Sequence, residues 1–293
     1  MSEVNILEYL QKLSHPVTDT IMIGVSYLGT EMLFMVAAVL LYWCFDKKFA
    51  YKFMNVYLLG VSVNEGLKNI IRRPRPFAGN PDHIRSIGAR TSGFSMPSGH
   101  SQSLANITVQ LSKQYRGKRA GDVLLPLGVY LTIAVMFSRM FLGQHYLSDV
   151  LVGCAVGVGS AFLFSYLFDL LGDREEWIFV VVLPLTVLVA VILACTGVAQ
   201  NAADIMKALG GYGAVTIAYF LEKRYVRYEV RADRIWKYFL RVILGLAVTL
   251  GLKEGLKYAF PKDVAILYGY LRYLLVALWA GLGAPALFKL LKI

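Results

Sequence analysis

"YLSDVLVGCAVGVGSAFLFSYLFDL", Tyr146 to Leu170, holds one charge near its start, one near its end, and an uninterrupted apolar stretch between them. A helix needs about 20 apolar residues to cross the hydrocarbon core of a bilayer, since each residue advances it by about 1.5 Å. Similar runs recur through the 293-residue chain, at about 28–45, 49–71, 98–114, 123–142, 177–196, 203–222, 236–259 and 266–290. With the quoted stretch they make nine expected spans. Composition agrees: 57% of residues are hydrophobic, 17% are charged and the mean hydropathy is +0.56. A soluble domain of this length needs more polar surface. The expected fold is therefore all-α, a polytopic membrane helix bundle.

Outward from that stretch, the remaining features fit a membrane protein. Residues 5–13 and 17–27 read as short amphipathic or interfacial pieces, broken at His15-Pro16. Glu3 and Glu8 stand where a secretory signal would be basic, so no signal peptide is expected. Cys44, Cys154 and Cys195 all lie in apolar segments, as small core residues rather than a disulfide frame or zinc site. A net charge of +11 would suit nucleic acid, but basic residues also collect in cytoplasmic loops of membrane proteins. That second explanation fits the pattern, and no nucleic-acid partner is expected. "DKKFAYK" (46–52), "KQYRGKR" (113–119), "EKRYVRYEVRADRIWK" (222–237) and the Lys289/Lys292 tail fall on one side of a nine-span layout. That side is expected to be cytoplasmic, with the N-terminus outside and the C-terminus inside. Arg72, Arg73, Arg75, Arg85 and Arg90 fall on the outer side, against the rule, and anion binding would explain them. "NEGLKNIIRRP" (64–74) shares Glu-Gly-Leu-Lys and a later proline with "KEGLKYAFP" (253–261), which four shared residues leave as a coincidence.

Three polar clusters map to the ends of expected spans on that outer side, where they can share one pocket. "KNIIRRPRP" contains Lys68 and Arg75, "PSGH" runs from Pro97 to His100, and "SRMFLGQHYLSD" contains Ser138, Arg139, His145 and Asp149. Pro97 suits the first turn of a helix, where its missing N–H costs nothing. The N–H groups of Ser98, Gly99 and His100 would then face an anion. Lys68, Arg75 and Arg139 add fixed positive charge, arginine's planar fork matching two phosphoryl oxygens. His145 and Asp149 are four residues apart, hence on one helix face, so the carboxylate can take the Nδ1 proton and free Nε2 as a nucleophile. His100 is a second imidazole, suited to protonating a leaving oxygen. Simpler readings exist for each part: snorkelling for a lone Lys68 or Arg75, and a structural hydrogen bond for a lone His145/Asp149 pair. A metal on His100, His145 and Asp149 is opposed by three nearby cations. Ser62, Asn64 and Glu65 line the cavity or serve helix packing. These residues alone do not separate hydrolysis from phosphate binding.

Lysine, six residues, Arg-Pro; then Pro-Ser-Gly-His; then Ser-Arg, five residues, His, three residues, Asp: in this order and spacing the chain resembles the type 2 phosphatidic acid phosphatase superfamily. That superfamily includes lipid phosphate phosphatases, glucose-6-phosphatase, sphingosine-phosphate phosphatases and the soluble vanadium haloperoxidases. All eleven signature positions match, and the likeness covers about residues 20–170. It implies a phosphatase core over 1–172 and a C-terminal transmembrane extension of four helices over 173–293. It implies that His145 attacks phosphorus to give a phosphohistidine, that Asp149 orients His145, and that His100 protonates the leaving alcohol and later activates water. Lys68, Arg75, Ser98, Gly99 and Arg139 would hold the phosphoryl oxygens, with no metal and no cofactor. The nine-span layout with its N-terminus outside is similar in topology to glucose-6-phosphatase. The expected partner is a membrane lipid phosphate or diphosphate, entering between spans from the bilayer. A soluble sugar phosphate is the alternative substrate, and a non-catalytic lipid-phosphate binder or transporter the alternative of another class.

Overall fold

The computed structural model describes residues 2–195, 203–258 and 265–293, and among them every regular element is helical. In chain order these are α1 (Glu3–Gln11), α2 (Pro16–Tyr27), α3 (Glu31–Leu40), α4 (Lys47–Ile71), α5 (Pro76–Gly79), α6 (Gly99–Gln114), α7 (Arg119–Phe141) and α8 (Leu147–Leu170). There follow α9 (Phe179–Cys195), α10 (Ala203–Leu221), α11 (Ile235–Gly255), α12 (Ala265–Leu278) and α13 (Ala284–Leu291). A helix stands at each of the nine segments expected to span, and Pro16 opens α2 behind a His15 N-cap as the sequence break indicated.

Five helical stretches are long and apolar enough to cross a membrane: 119–141, 147–170, 172–195, 235–255 and 267–291. A sixth arises if α2 and the 31–45 segment, which meet at a 45° bend, form one broken span. Among the described residues this supports a multi-pass helical membrane protein with five or six candidate spans, and the count of nine is not confirmed. Physical reasons are visible in two of the others. Helix α6 has only 16 residues and buries Ser101, Gln102, Ser103, Asn106, Thr108 and Gln110 against protein, where Ser103 Oγ meets Tyr57 Oη at 2.9 Å and Asn106 Nδ2 donates to Ser160 Oγ at 3.1 Å. Helix α4 is long enough at 25 residues but begins with two lysines and carries Asn64, Glu65 and Lys68 near its end. The shared motif at 253–261 is described only as far as Tyr258; Ala259 to Pro261 lie outside the described residues.

The chain forms two compact units: residues 1–37 with 56–169, and residues 38–55 with 170–293. Residues 38–55 group with the C-terminal part in this division. In the first unit, α8 turns Gly153, Gly157, Ser160, Ala161 and Ser165 inward and Leu151, Phe162, Leu163 and Tyr166 outward. Small residues inside and large apolar ones outside suit helix packing in lipid, where close backbone approach replaces the hydrophobic drive. In the second unit, the wholly buried Trp43 donates from Nε1 to the Ala280 carbonyl at 2.8 Å, and Tyr51 stacks on Tyr219 at 3.9 Å. There the buried Glu222 accepts from Lys47 Nζ at 2.8 Å and from the Tyr228 N–H at 2.8 Å, so its charge is paired.

Candidate active site

The first cluster sits where α4 ends. Lys68 lies in its last turn and pairs with Glu65 at 2.6 Å. Arg72 stops the helix in the left-handed region, φ 52°, and its N–H still reaches the Lys68 carbonyl at 2.9 Å. The prolines at 74 and 76 then keep the chain extended, and Arg75 precedes the single turn of α5. The buried Arg75 guanidinium donates to the carbonyls of Gly93 (3.0 Å), Ser92 (2.8 Å) and Gln144 (3.1 Å). Its Nη1 also lies 3.2 Å from His145 Nε2. Burial lowers the Arg75 pKa to about 10, with Asp149 opposing the shift, so the group stays cationic at neutral pH.

The second cluster differs from expectation by one position. Pro97 is not in the first helical turn; it precedes Ser98, which is the N-cap of α6. Ser98 Oγ takes a hydrogen bond from Ser101 Oγ at 3.0 Å, and the Ser98 N–H is spent on the Asp149 carbonyl at 2.9 Å rather than left for an anion. The N–H groups that open the first turn with no carbonyl one turn earlier are those of Gly99 and His100. A Cβ at Gly99 would stand 3.6 Å from Lys68 Nζ and 4.0 Å from Asn64 Oδ1, which brings the first two clusters together. Both amide atoms of the buried Asn64 lack a partner, so this side chain is available to a ligand. The His100 imidazole lies within electrostatic range of Arg139, His145, Lys68 and Arg75.

The third cluster also departs from the helix-face argument. Helix α7 ends at Phe141, Gly143 turns the chain at φ 69°, and α8 starts only at Leu147, so His145 lies in the connecting turn. At Gly143 a side chain would be strained by φ and would meet the Arg85 carbonyl at 2.4 Å. Asp149, in the first turn of α8, still faces His145, with Nδ1 and Oδ2 at 3.7 Å. That is longer than a hydrogen bond, and the buried Nδ1 has no partner. Asp149 is instead held by the Tyr146 N–H (2.7 Å), by Ser95 Oγ and by Arg73 Nη1 (2.8 Å). Arg139 donates to Ser26 Oγ at 2.8 Å and Thr91 Oγ1 at 3.0 Å, leaving its buried Nε free. Ser138 is wholly buried and bonds the Val135 carbonyl at 2.9 Å, a helix-internal role.

Burial, chiefly, lowers the His145 pKa, with Asp149 opposing and Arg139 and Arg75 reinforcing the shift. The imidazole is thus neutral at neutral pH. An Arg75 N–H aimed at Nε2 marks that nitrogen as the lone-pair side and leaves the proton on Nδ1, toward Asp149. The structure therefore gathers Lys68, Arg75, Gly99, His100, Arg139, His145 and Asp149 around one polar site within the first unit. Among the described residues no group of three or more His, Cys, Asp or Glu is arranged to hold a metal ion. Sequence reading missed Glu3, Ser26, Arg73, Thr91 and Ser95. Arg73 had a signal, as one of the arginines set against the charge rule; the others had none beyond their polarity.

A neutral histidine set between a carboxylate and a cluster of cations in a helical membrane protein is the kind of arrangement that handles phosphoryl groups, and the family comparisons agree with it. Residues 49–173 match the family described as the PAP2 superfamily, and residues 206–293 match that described as PAP2 superfamily phosphatase, transmembrane extension. The chain belongs to the PAP2 superfamily. Sphingosine-1-phosphate phosphatase 1 of Rattus norvegicus is 27% identical over 154 residues, 51% of this chain and 35% of that protein. The chain thus aligns with about a third of that curated relative's length. Two solved structures are similar in part. One is a transmembrane PAP2 type phosphatidylglycerolphosphate phosphatase from Bacillus subtilis: TM-score 0.48, 22% identity, 57% of this chain and 84% of that one. The other is LpxE from Aquifex aeolicus: TM-score 0.47, 19% identity, 55% of this chain and 92% of that one.

Proposed function

We propose that this protein is a metal-independent membrane phosphatase that hydrolyses a lipid phosphate or diphosphate through a phosphohistidine on His145. The observation that carries the reading is the setting of His145: buried, with Nε2 facing Arg75 Nη1 at 3.2 Å and Nδ1 facing Asp149 at 3.7 Å. Pure anion binding needs the cations but no neutral imidazole backed by a carboxylate. In the first step the Nε2 lone pair bonds to phosphorus, the P–O bond to the leaving alcohol breaks, and His100 gives that oxygen its proton. Arg75, Lys68 and Arg139 with the Gly99 and His100 N–H groups stabilise the charge that spreads over the phosphoryl oxygens. In the second step His100 takes a proton from water, the water oxygen bonds to phosphorus, and the P–N bond breaks to free phosphate and restore His145.

A lipid substrate is favoured because the site lies among helices whose outer faces are apolar, so an acyl or prenyl chain can remain in the bilayer. The relative named for sphingosine 1-phosphate bears the name of a lipid phosphate and supports that class. The placement of the basic loops supports a site on the non-cytoplasmic face, with the N-terminus outside. The test is phosphate release by purified protein in detergent, from phosphatidic acid, a polyprenyl diphosphate, a sphingoid-base phosphate and glucose 6-phosphate. Lipid phosphates should be turned over, and His145→Ala should remove all but a trace, since a nucleophile acting within a unit costs several orders of magnitude when lost. Release by the variant above about a tenth of the wild-type rate would refute the nucleophile. No release by wild-type protein from any substrate would favour a binder.

A further inference from the structure

We propose that Arg73 is a positioning residue that fixes the Asp149 carboxylate for His145, and that Glu3 of the N-terminal helix holds Arg73 in place; the inference rests on the phosphatase reading above. Arg73 lies outside the three-part signature. Its Nη1 donates to Asp149 Oδ1 at 2.8 Å and to Ser148 Oγ at 2.6 Å, while Nη2 donates to Glu3 Oε2 at 2.6 Å. The other Glu3 oxygen accepts the Ser148 N–H at 2.6 Å, at the head of the helix that carries Asp149. The guanidinium also lies over the Tyr146 ring, 4.0 Å from its centroid, and the Tyr146 N–H bonds Asp149 Oδ2 at 2.7 Å. One planar cation is thus clamped between two carboxylates and an aromatic face, a geometry that suits arginine's fork and not lysine's point charge.

Two simpler roles can be separated from this one. Arg73 is not placed as another phosphate ligand, because both of its Nη atoms are already committed to carboxylates. It is also more than a surface ion pair, because Asp149 is wholly buried and a fixed cation beside it decides how readily that carboxylate takes a proton. With Arg73 in place, Asp149 stays ionised and faces Nδ1 without removing its proton. The imidazolium charge that forms when Nε2 bonds to phosphorus is then balanced, and the ring holds its orientation. The remaining charged and titratable groups facing the pair are Arg75 from the loop after α4, His100 from α6, Arg139 from α7 and Glu3 from α1. Removing a cation from this set makes both Asp149 and His145 easier to protonate. The acid limb of the rate profile should then move to higher pH.

The experiment measures kcat and KM for dioctanoyl phosphatidic acid across pH with the full chain in detergent, for wild type, Arg73→Met, Arg73→Lys and Glu3→Gln. Arg73→Met should lower kcat about 100-fold with KM changed less than about 3-fold, in line with the loss of a group that orients a reacting residue. Its acid limb should shift up by about one pH unit. Arg73→Lys should restore part of kcat, and Glu3→Gln should lose about 10-fold in the same direction. Wild-type kcat in Arg73→Met, a KM that rises while kcat holds, or equal losses in Arg73→Met and Arg73→Lys with no pH shift would each overturn the proposal. If Arg73→Met fails to fold, Glu3→Gln carries the test, and an unchanged kcat there overturns it. Inactive wild-type protein overturns this proposal together with the phosphatase reading, whereas active wild type with an unaffected Arg73→Met overturns this one alone.

Discussion

Adding one methyl group at Gly153 should disable the site without altering any residue that carries its chemistry. Gly153 is on the buried face of α8, one turn past Asp149, and a Cβ there would stand 2.4 Å from the Ser98 carbonyl oxygen and 3.0 Å from the Ser98 nitrogen. Ordinary contact begins at 3.4 Å, so the two backbones must part by about 1 Å. The atoms in the way are backbone, so no side chain can swing aside. The same two strands of chain share the bond from the Ser98 N–H to the Asp149 carbonyl at 2.9 Å. Parting them moves the Gly99 and His100 donors away from His145. Overpacking of this kind costs about 1–3 kcal/mol of stability. A misplacement of about 1 Å at a reacting centre costs about 100-fold in rate. Gly159→Ala is the control on the same helix: Gly159 is exposed and a Cβ there meets nothing within 4 Å. That change should leave turnover intact and stabilise the helix by up to about 1 kcal/mol. The assay is kcat for phosphate release alongside thermal melting in detergent. Wild-type turnover in Gly153→Ala would refute the claim that the α8 contact sets the geometry of the Pro-Ser-Gly-His turn.

Two further outcomes are expected. Activity should persist in EDTA, and vanadate should inhibit it by adopting the five-coordinate geometry of phosphoryl transfer; loss in EDTA restored by zinc or magnesium would overturn the metal-independent mechanism. With Cys44, Cys154 and Cys195 replaced, a cysteine at Asn80 should react with an impermeant thiol reagent in intact cells and one at Gly117 should not, and the reverse pattern would put the site on the cytoplasmic face.

The helices were legible in the sequence because apolar runs are local, and so were the residues that converge on the site, because each stands where an apolar run ends. Membrane crossing was less legible, since an apolar or mixed helix can be buried in protein as well as in lipid. In α6 the side chains of Gln102, Asn106 and Gln110 are buried by neighbouring protein, which its own apolar pattern could not reveal. The exact relation of His145 to its carboxylate was hidden for a different reason. A spacing of four residues implies a shared helix face only if the helix includes both, and the turn at Gly143 places His145 outside it.

Least legible was which charge answers which. Spacing marked Arg75 and Asp149 as members of one site, yet Arg75 spends its donors on backbone carbonyls and His145, while Asp149 takes its ion pair from Arg73 two residues earlier. The reason is geometric. Pro74 holds the segment extended, so residues 73 and 75 are not interchangeable around it: one guanidinium reaches the loop at Ser92 and Gly93, the other reaches Glu3 and the head of α8. Glu3 lies 70 residues from Arg73 in sequence and 145 from Ser148, so no periodic pattern could connect them. What connects them is electrostatic necessity. A wholly buried Asp149 must be satisfied, a guanidinium satisfying it has donors to spare, and a second carboxylate at the edge of the site takes those donors. A helix outside the three-part signature thereby becomes part of the geometry the signature residues need.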